Sequence, residues 1–247
     1  MKKIGLALGG GGSRGFAHLG AIKALEEKGI KPNFFSGTSA GSIVAALLAT
    51  EKTPDEIMDI MKDLKITDAS KITLPVNGFA SLDKLGSKLD EILGGRDFSD
   101  LKHKLYICAS NLNTGKVEYI NNGNVAKAVQ ASSSIPILFT PVEIEGQLYV
   151  DGGLVDNVPI LPLIDECEKI IAIDIMPVKS IEKVEGVSEI IVRMFQMGVA
   201  IQSDKKDQCD VVIKLEDLAD YNILDTSKNE EIFEIGYNCV KNMDISL

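Results

Sequence analysis

The sequence predicts a three-layer α/β/α domain built on a mostly parallel sheet. Three observations carry that expectation. Short apolar runs alternate with longer helical patterns along most of the 247 residues, the rhythm of a sheet whose strands are joined by crossover helices. The first strand, helix and second strand are complete within about 35 residues, the length of a βαβ unit. The second strand then meets Gly37-Thr38-Ser39-Ala40-Gly41 and, past Ser42, the apolar run Ile43 to Ala49, so a strand turns sharply into a buried helix.

Taken in order, Ile4-Gly5-Leu6-Ala7-Leu8 reads as a short buried strand and Gly9 to Gly15 as a glycine-rich turn. Phe16 to Lys28 reads as a helix, with Leu19, Ile22 and Leu25 at helical spacing and Gly29 as its stop. Pro32 precedes the second strand, Asn33 to Ser36, and a helix over 40–50 follows the serine turn. Thr53-Pro54-Asp55-Glu56 is a capping box with proline at the first helical position, opening a helix to about Leu64. Residues 65–80, with Pro75, Asn77 and Gly78, read as irregular, and Ser81 starts a helix to about Leu93. The strand rhythm is interrupted over roughly 53–103, which is expected to be a helical insertion over the sheet edge or the site. Its apolar positions Ile57, Ile60, Met61, Leu64, Leu74, Val76 and Phe79 suit an acyl groove, a membrane-facing lip or plain packing of the insertion.

Strands resume at Lys104 to Ser110 and, past a polar turn at Asn113-Thr114-Gly115-Lys116, at Val117 to Ile120. Val125 to Ser132 reads as a short helix, Val142 to Val150 as a hairpin, 160–168 as a helix and Ile170 to Ile175 as a central strand. A helix near 186–203, a strand from Val211 to Leu215 and a helix from about Asn229 complete the chain, expected to be a single domain over 1–247.

Composition narrows the function. With 45% hydrophobic and 25% charged residues the chain can build a sizeable core. A net charge of −10 disfavours nucleic acid as a partner, and no polybasic patch is present for anionic lipid. The four cysteines form no CxxC pair, and two histidines are too few for a His-rich metal site, so neither metal nor cofactor is expected. Met1-Lys2-Lys3 leads into a strand rather than a signal-peptide core, and no apolar run approaches the ~20 residues of a membrane span. A soluble, cytoplasmic protein is the expectation.

Gly37-x-Ser39-x-Gly41 places Ser39 in a strained turn at a helix N-terminus, where partial positive charge favours an attacking oxygen. As a bland alternative, Ser39 is only a cap. Residues 10–15 satisfy G-x-G-x-x-G, but a dinucleotide site wants an acid at the end of the second strand. No Asp or Glu occurs between Glu27 and Glu51, and Phe16-Ala17 excludes a phosphate-binding Lys-Ser/Thr. What remains is a nest of amides suited to an anion, such as an oxyanion formed at Ser39. A triad in the order Ser, acid, His cannot be completed by an acid near Asp151, because no histidine follows His103, and a triad through His18 or His103 is the lesser alternative. His18 reads as a packing or hydrogen-bonding residue and His103 as part of an exposed turn. The base is then a carboxylate or a lysine. Asp151, ending an apolar strand before Gly152-Gly153, is the best candidate, against a plain turn aspartate and the rival Asp174.

Gly10-Gly11-Gly12-Ser13-Arg14-Gly15, Gly37-Thr38-Ser39-Ala40-Gly41 and Asp151-Gly152-Gly153 resemble, in order and rough spacing, the three signature blocks of the patatin-like phospholipase family. Ala131 to Pro136, with Phe139 and Pro141, and the continuation Leu154 to Pro159 fit as well, and the resemblance runs from Ile4 to about Ile175. It implies a patatin-like fold, a compact member of the bacterial kind, and a serine acyl hydrolase of phospholipase A or lysophospholipase type. Ser39 would be the nucleophile and Asp151 the base, without histidine. Gly10, Gly11 and Gly12 would form the oxyanion hole, supported by Arg14, Gly37, Gly41, Gly152 and Gly153. Arg14 would steady the loop or an anionic group of the substrate. The partner would be a lipid or other acyl ester, with transient contact at a membrane surface. The alternatives are a regulatory protein of the same fold with little turnover, a nucleotide-binding module, or a hydrolase of acyl thioesters.

Overall fold

The computed structural model describes residues 2–64, 80–202 and 208–247. Among them, five parallel strands form the centre of an eight-stranded sheet. These are β1 (Ile4–Leu8), β2 (Phe34–Thr38), β3 (Lys104–Asn111), β7 (Lys169–Asp174) and β8 (Val211–Lys214). β1 lies between β2 and β7; β3 flanks β2 and β8 flanks β7. β4 (Lys116–Ile120), β5 (Val142–Ile144) and β6 (Gln147–Asp151) add antiparallel pairings, giving the order β5-β6-β3-β2-β1-β7-β8 with β4 on β3. Leu6, Ala7, Leu8, Ile171 and Ile173 are fully buried, as expected of strands covered by helices on both faces. The three-layer, mostly parallel expectation holds.

Helix α1 (Phe16–Glu27) crosses the C-terminal α7 (Asn229–Asn242) at very short range. A Cβ at Gly20 would lie 2.0 Å from the Phe233 carbonyl oxygen, and one at Gly236 would lie 2.0 Å from that of Ala17. α2 (Ala40–Ala49) is buried along its whole length, which explains its unbroken apolar sequence. α3 (Pro54–Leu64) packs on α1 and α2, and its capping box closes as expected, with Thr53 N donating to Glu56 Oε2 at 2.8 Å. α4 (Asp83–Leu93) packs on α5 (Val125–Ser132), and Ala80 pairs with Phe139. Ile57 and Met61 are buried, Ile60 and Leu64 half-buried. The irregular reading of 65–79, and with it Leu74, Val76 and Phe79, lies outside the described residues.

One element differs from expectation. Residues 160–168 form no α-helix; a single 3-10 turn, Leu161–Leu163, stands there. Leu161 and Ile164 face solvent and only Ile160 and Leu163 reach the core, so the segment lacks the apolar stripe that would hold a helix against the sheet. α6 (Gly186–Ile201) completes the set. Among the described residues no helix is long and apolar enough to cross a membrane.

Candidate active site

β1 and β2 are adjacent and parallel, so the turns that leave their carboxyl ends face one crevice. The turn after β2 holds Ser39 at φ 52°, ψ −124°, a left-handed conformation that a serine adopts only when its surroundings enforce it. Two glycines let the backbone pass there. A Cβ at Gly37 would lie 2.4 Å from the Gly41 carbonyl oxygen, and one at Gly41 would lie 2.2 Å from that of Leu8. The Ser39 amide donates to Ser132 Oγ at 2.9 Å, and that hydroxyl donates to the Cys108 carbonyl at 2.6 Å. Ser132 on α5 therefore anchors the strained turn to β3.

β6 runs antiparallel to β3 and delivers Asp151 to the same crevice, with Ala109 as its register partner. The Asp151 backbone is held on both sides, its amide by the Ser134 carbonyl at 2.9 Å and its carbonyl by Ser110 Oγ at 3.0 Å. The side chain is completely buried. Oδ1 accepts from the Gly153 amide at 2.8 Å, while Oδ2 finds no hydrogen-bond partner of ordinary geometry among the described residues. Burial pushes its pKa up to about 7, against the opposing pull of the Ser39 hydroxyl and the Gly153 amide. That pull places the Ser39 hydroxyl beside the carboxylate.

The glycine-rich turn lies against Ser39: a Cβ at Gly10 would fall 3.0 Å from that of Ser39. The Gly10 amide already donates to the Asn157 carbonyl at 3.2 Å. No backbone acceptor is found for the amides of Gly11 and Gly12 among the described residues. Gly12 sits at φ 57°, with the Ile223 carbonyl oxygen 2.1 Å from where a Cβ would stand, so only glycine fits. His18, fully buried beneath the loop, meets the Gly9 carbonyl through Nε2 at 2.8 Å. Burial lowers its pKa to about 4, so the ring is neutral and fastens the loop as a donor.

Arg14 reaches backbone carbonyls on other elements. It is 2% exposed and donates to the carbonyls of Tyr221 (2.9 Å), Pro177 (3.1 Å) and Ala219 (3.4 Å). It clamps the start of α1 to two distant loops. Burial lowers its pKa to about 10, with Asp174 opposing the shift, and it stays charged at neutral pH. Asp174, the rival base, accepts from the Met176 amide at 3.0 Å in that same corner. His103 packs edge-on to Phe35 at 5.7 Å, among residues of the opposite, amino-terminal ends of the strands.

Residues without an assigned role in the sequence reading also shape the site. Asn157 Nδ2 donates to the Gly10 carbonyl at 3.2 Å, so Asn157 holds both sides of that glycine, and its buried Oδ1 has no partner among the described residues. Gln202, just past α6, accepts from the Asn157 amide at 2.9 Å and donates to the carbonyls of Gly153 (2.9 Å) and Leu154 (3.0 Å). Beside Ser39 lies a small cavity of about 50 Å³, lined by Phe16, Ile43, Met61, Leu82, Ile135 and Phe139 among others. It is apolar, and Met61 and Leu82 come from the insertion. Among the described residues no group of three or more His, Cys, Asp or Glu could hold a metal ion.

Comparison with known proteins gives concordant results. The model of the patatin-like phospholipases matches residues 6–164. The Lysophospholipase NTE1 of Saccharomyces cerevisiae is 29% identical over 271 positions, covering 94% of this chain and 16% of that protein. Its counterpart in Coccidioides immitis is 33% identical over 165 positions, covering 64% of this chain and 10% of that protein. The chain thus spans about a sixth or less of these relatives' length. Among solved structures, VipD from Legionella pneumophila superimposes with a TM-score of 0.63 at 17% identity, over 97% of this chain and 66% of that one. ExoU in its heterodimer with SpcU, from Pseudomonas aeruginosa, gives 0.54 at 19% identity, over 97% and 50%. At such identities the likeness is one of fold.

Proposed function

The chain belongs to the patatin-like phospholipase family, and from that premise we propose that it hydrolyses lipid carboxylic esters, as a phospholipase A or lysophospholipase, through a Ser39–Asp151 dyad. One observation carries the reading: a serine in a strained turn stands beside a fully buried carboxylate whose second oxygen has no other partner among the described residues. A carboxylate at its usual pKa near 3.9 is a weak base for a hydroxyl. Raised to about 7, Asp151 is still ionised in part at neutral pH and holds a proton far better.

In the proposed cycle Ser39 Oγ attacks the ester carbonyl carbon as its proton passes to Asp151 Oδ2. The amides of Gly11 and Gly12 receive the oxyanion, while Gly10, its own amide engaged with Asn157, fixes the loop's position. Collapse breaks the ester C–O bond, and the leaving alkoxide takes the proton from Asp151. Water then attacks the acyl-serine with Asp151 again as base, releasing the fatty acid and restoring Ser39. The lining of the cavity beside Ser39 is apolar, which supports a lipid ester over a small polar one.

We further propose that residues 1–247 act as one hydrolase domain in the cytoplasm, the insertion at 53–103 contributing Met61, Leu82 and Leu85 to the cavity beside Ser39. Turnover of a p-nitrophenyl ester and labelling by a fluorophosphonate test the dyad. Ser39→Ala should lose both, and Asp151→Asn should lose turnover by at least ~10³-fold while remaining folded. Retained turnover in either variant would overturn the assignment.

A further inference from the structure

α6 is apolar on two faces. Ile191, Phe195 and Val199 turn into the core. On another face Val187, Ile190, Met194, Met197 and Ile201 are 62%, 48%, 65%, 53% and 86% exposed. At 100° per residue these five fall within an arc of roughly 80°, a stripe about 21 Å long. No charged residue of the helix lies in that arc; Glu189 and Arg193 fall to one side of it. The stripe is tied to the site. Gln202 at the end of α6 bonds the carbonyls of Gly153 and Leu154, and Phe195 approaches Gly153 from the inner face. Leu154 and Val155, 45% and 41% exposed, follow Asp151-Gly152-Gly153 directly in the chain, and Gln202 ties the Leu154 carbonyl to the end of α6.

We infer that this face of α6, with Leu154 and Val155, docks on a zwitterionic phospholipid surface and seats the Asp151 turn at the lipid boundary. The inference rests on the reading of the site as a lipid hydrolase, whose substrate resides in such a surface. Three features favour lipid over a second copy of the chain. The seven side chains of this face, Leu154 and Val155 included, offer on the order of 700 Å², below the ~800 Å² per partner that a standard protein interface buries. The stripe is one helix wide and uncharged, the form that lies in the plane of a bilayer interface. Two of its five members are methionines, which adapt to an irregular, fluid surface. The net charge of −10 argues against an anionic membrane, since it would be repelled there.

The test uses the whole chain carrying Ser39→Ala, so that lipid is not consumed, in flotation with phosphatidylcholine vesicles. The expected result is flotation that is insensitive to salt, weakened at least about tenfold by Met194→Asp with Met197→Asp. The same two substitutions in the active enzyme should leave hydrolysis of a short, soluble ester within about twofold, which separates lost docking from lost folding or catalysis. Absence of flotation, or flotation equal in the substituted protein, overturns the inference. So does a lipid-free dimer that the two substitutions dissociate, since the face would then belong to a second copy. Failure of soluble-ester turnover in the unsubstituted protein would instead strike the dyad, and vesicle flotation is read independently of it.

Discussion

Asp151→Asn should stabilise the protein while abolishing its turnover, and the gain should grow with pH. The Asp151 pKa stands at about 7 in the folded chain against 3.8 for an ordinary aspartate. Between those values the folded chain keeps a proton that the unfolded chain has lost, so stability falls as pH rises through the window and levels off above 7. At about 1.4 kcal/mol per pH unit the ionisable side chain costs roughly 1.5 kcal/mol at pH 5 and roughly 4 kcal/mol at pH 8.5. Asparagine removes this term. It keeps an oxygen for the Gly153 amide and places a donor toward Ser39. Thermal unfolding of both proteins from pH 5 to 8.5 checks the reasoning, since other titrating groups cancel in the difference. The melting-temperature advantage of Asp151→Asn should widen by roughly 5–10 °C across that range for a chain of this size. An advantage that does not change with pH would mean that Asp151 has an ordinary carboxylate pKa and that burial does not prepare it as a base.

For the wild type, kcat/KM on a soluble ester should rise with pH along a single ionisation centred near 7, because the base must be deprotonated to accept the serine proton; a plateau reaching down to pH 5 would contradict this. Arg14→Met removes a buried donor from three loop carbonyls and should cost about 3 kcal/mol, lowering the melting temperature while affecting neutral and anionic esters alike. A selective loss on anionic esters would make Arg14 a substrate-reading residue instead. Asn157→Ala frees the Gly10 carbonyl, and kcat should fall ~10–100-fold with KM nearly unchanged, since the loop's aim matters most when the oxyanion forms. A change confined to KM would count against that role.

The parts of the fold legible in the sequence have local causes. The capping box at Thr53-Pro54-Asp55-Glu56 closes through its own residues, and the apolar run of α2 needs only burial to make it a helix. The segment 160–168 failed because of its apolar residues only Ile160 and Leu163 reach the core, too little buried face to hold a helix that draws its stability from packing. In the site, the glycines around Ser39 were readable because a strained turn leaves its mark at fixed spacing. The role of Asn157 was not readable, since its partners lie 147 residues away at Gly10 and 45 away at Gln202. Nor could spacing separate the three loop glycines: the Gly10 amide is taken by the Asn157 carbonyl, a fact of tertiary structure. For Arg14 the sequence allowed two roles, and the depth at which the guanidinium is buried is likewise a fact of tertiary structure.

The buried polar atoms without partners show why these details belong together. Among the described residues they are His18 Nδ1, Asp151 Oδ2 and Asn157 Oδ1. Each belongs to a side chain whose other polar atom is spent on the loops around Ser39 and Asp151: His18 on the Gly9 carbonyl, Asp151 on the Gly153 amide, Asn157 on the Gly10 carbonyl. Such atoms ordinarily cost one to a few kcal/mol each and are removed elsewhere in folded chains. Their concentration around one serine, itself held at positive φ, means that the cost falls where charge must appear and move. A histidine-based triad can place its acid behind an imidazole, which carries the proton. In the proposed dyad the carboxylate itself stands against the nucleophile, and stripping it of water is what would make it basic enough. On that proposal the wild type is less stable than Asp151→Asn, and the anchoring by Ser132, Ser134, Ser110 and Gln202 holds the strained arrangement in place.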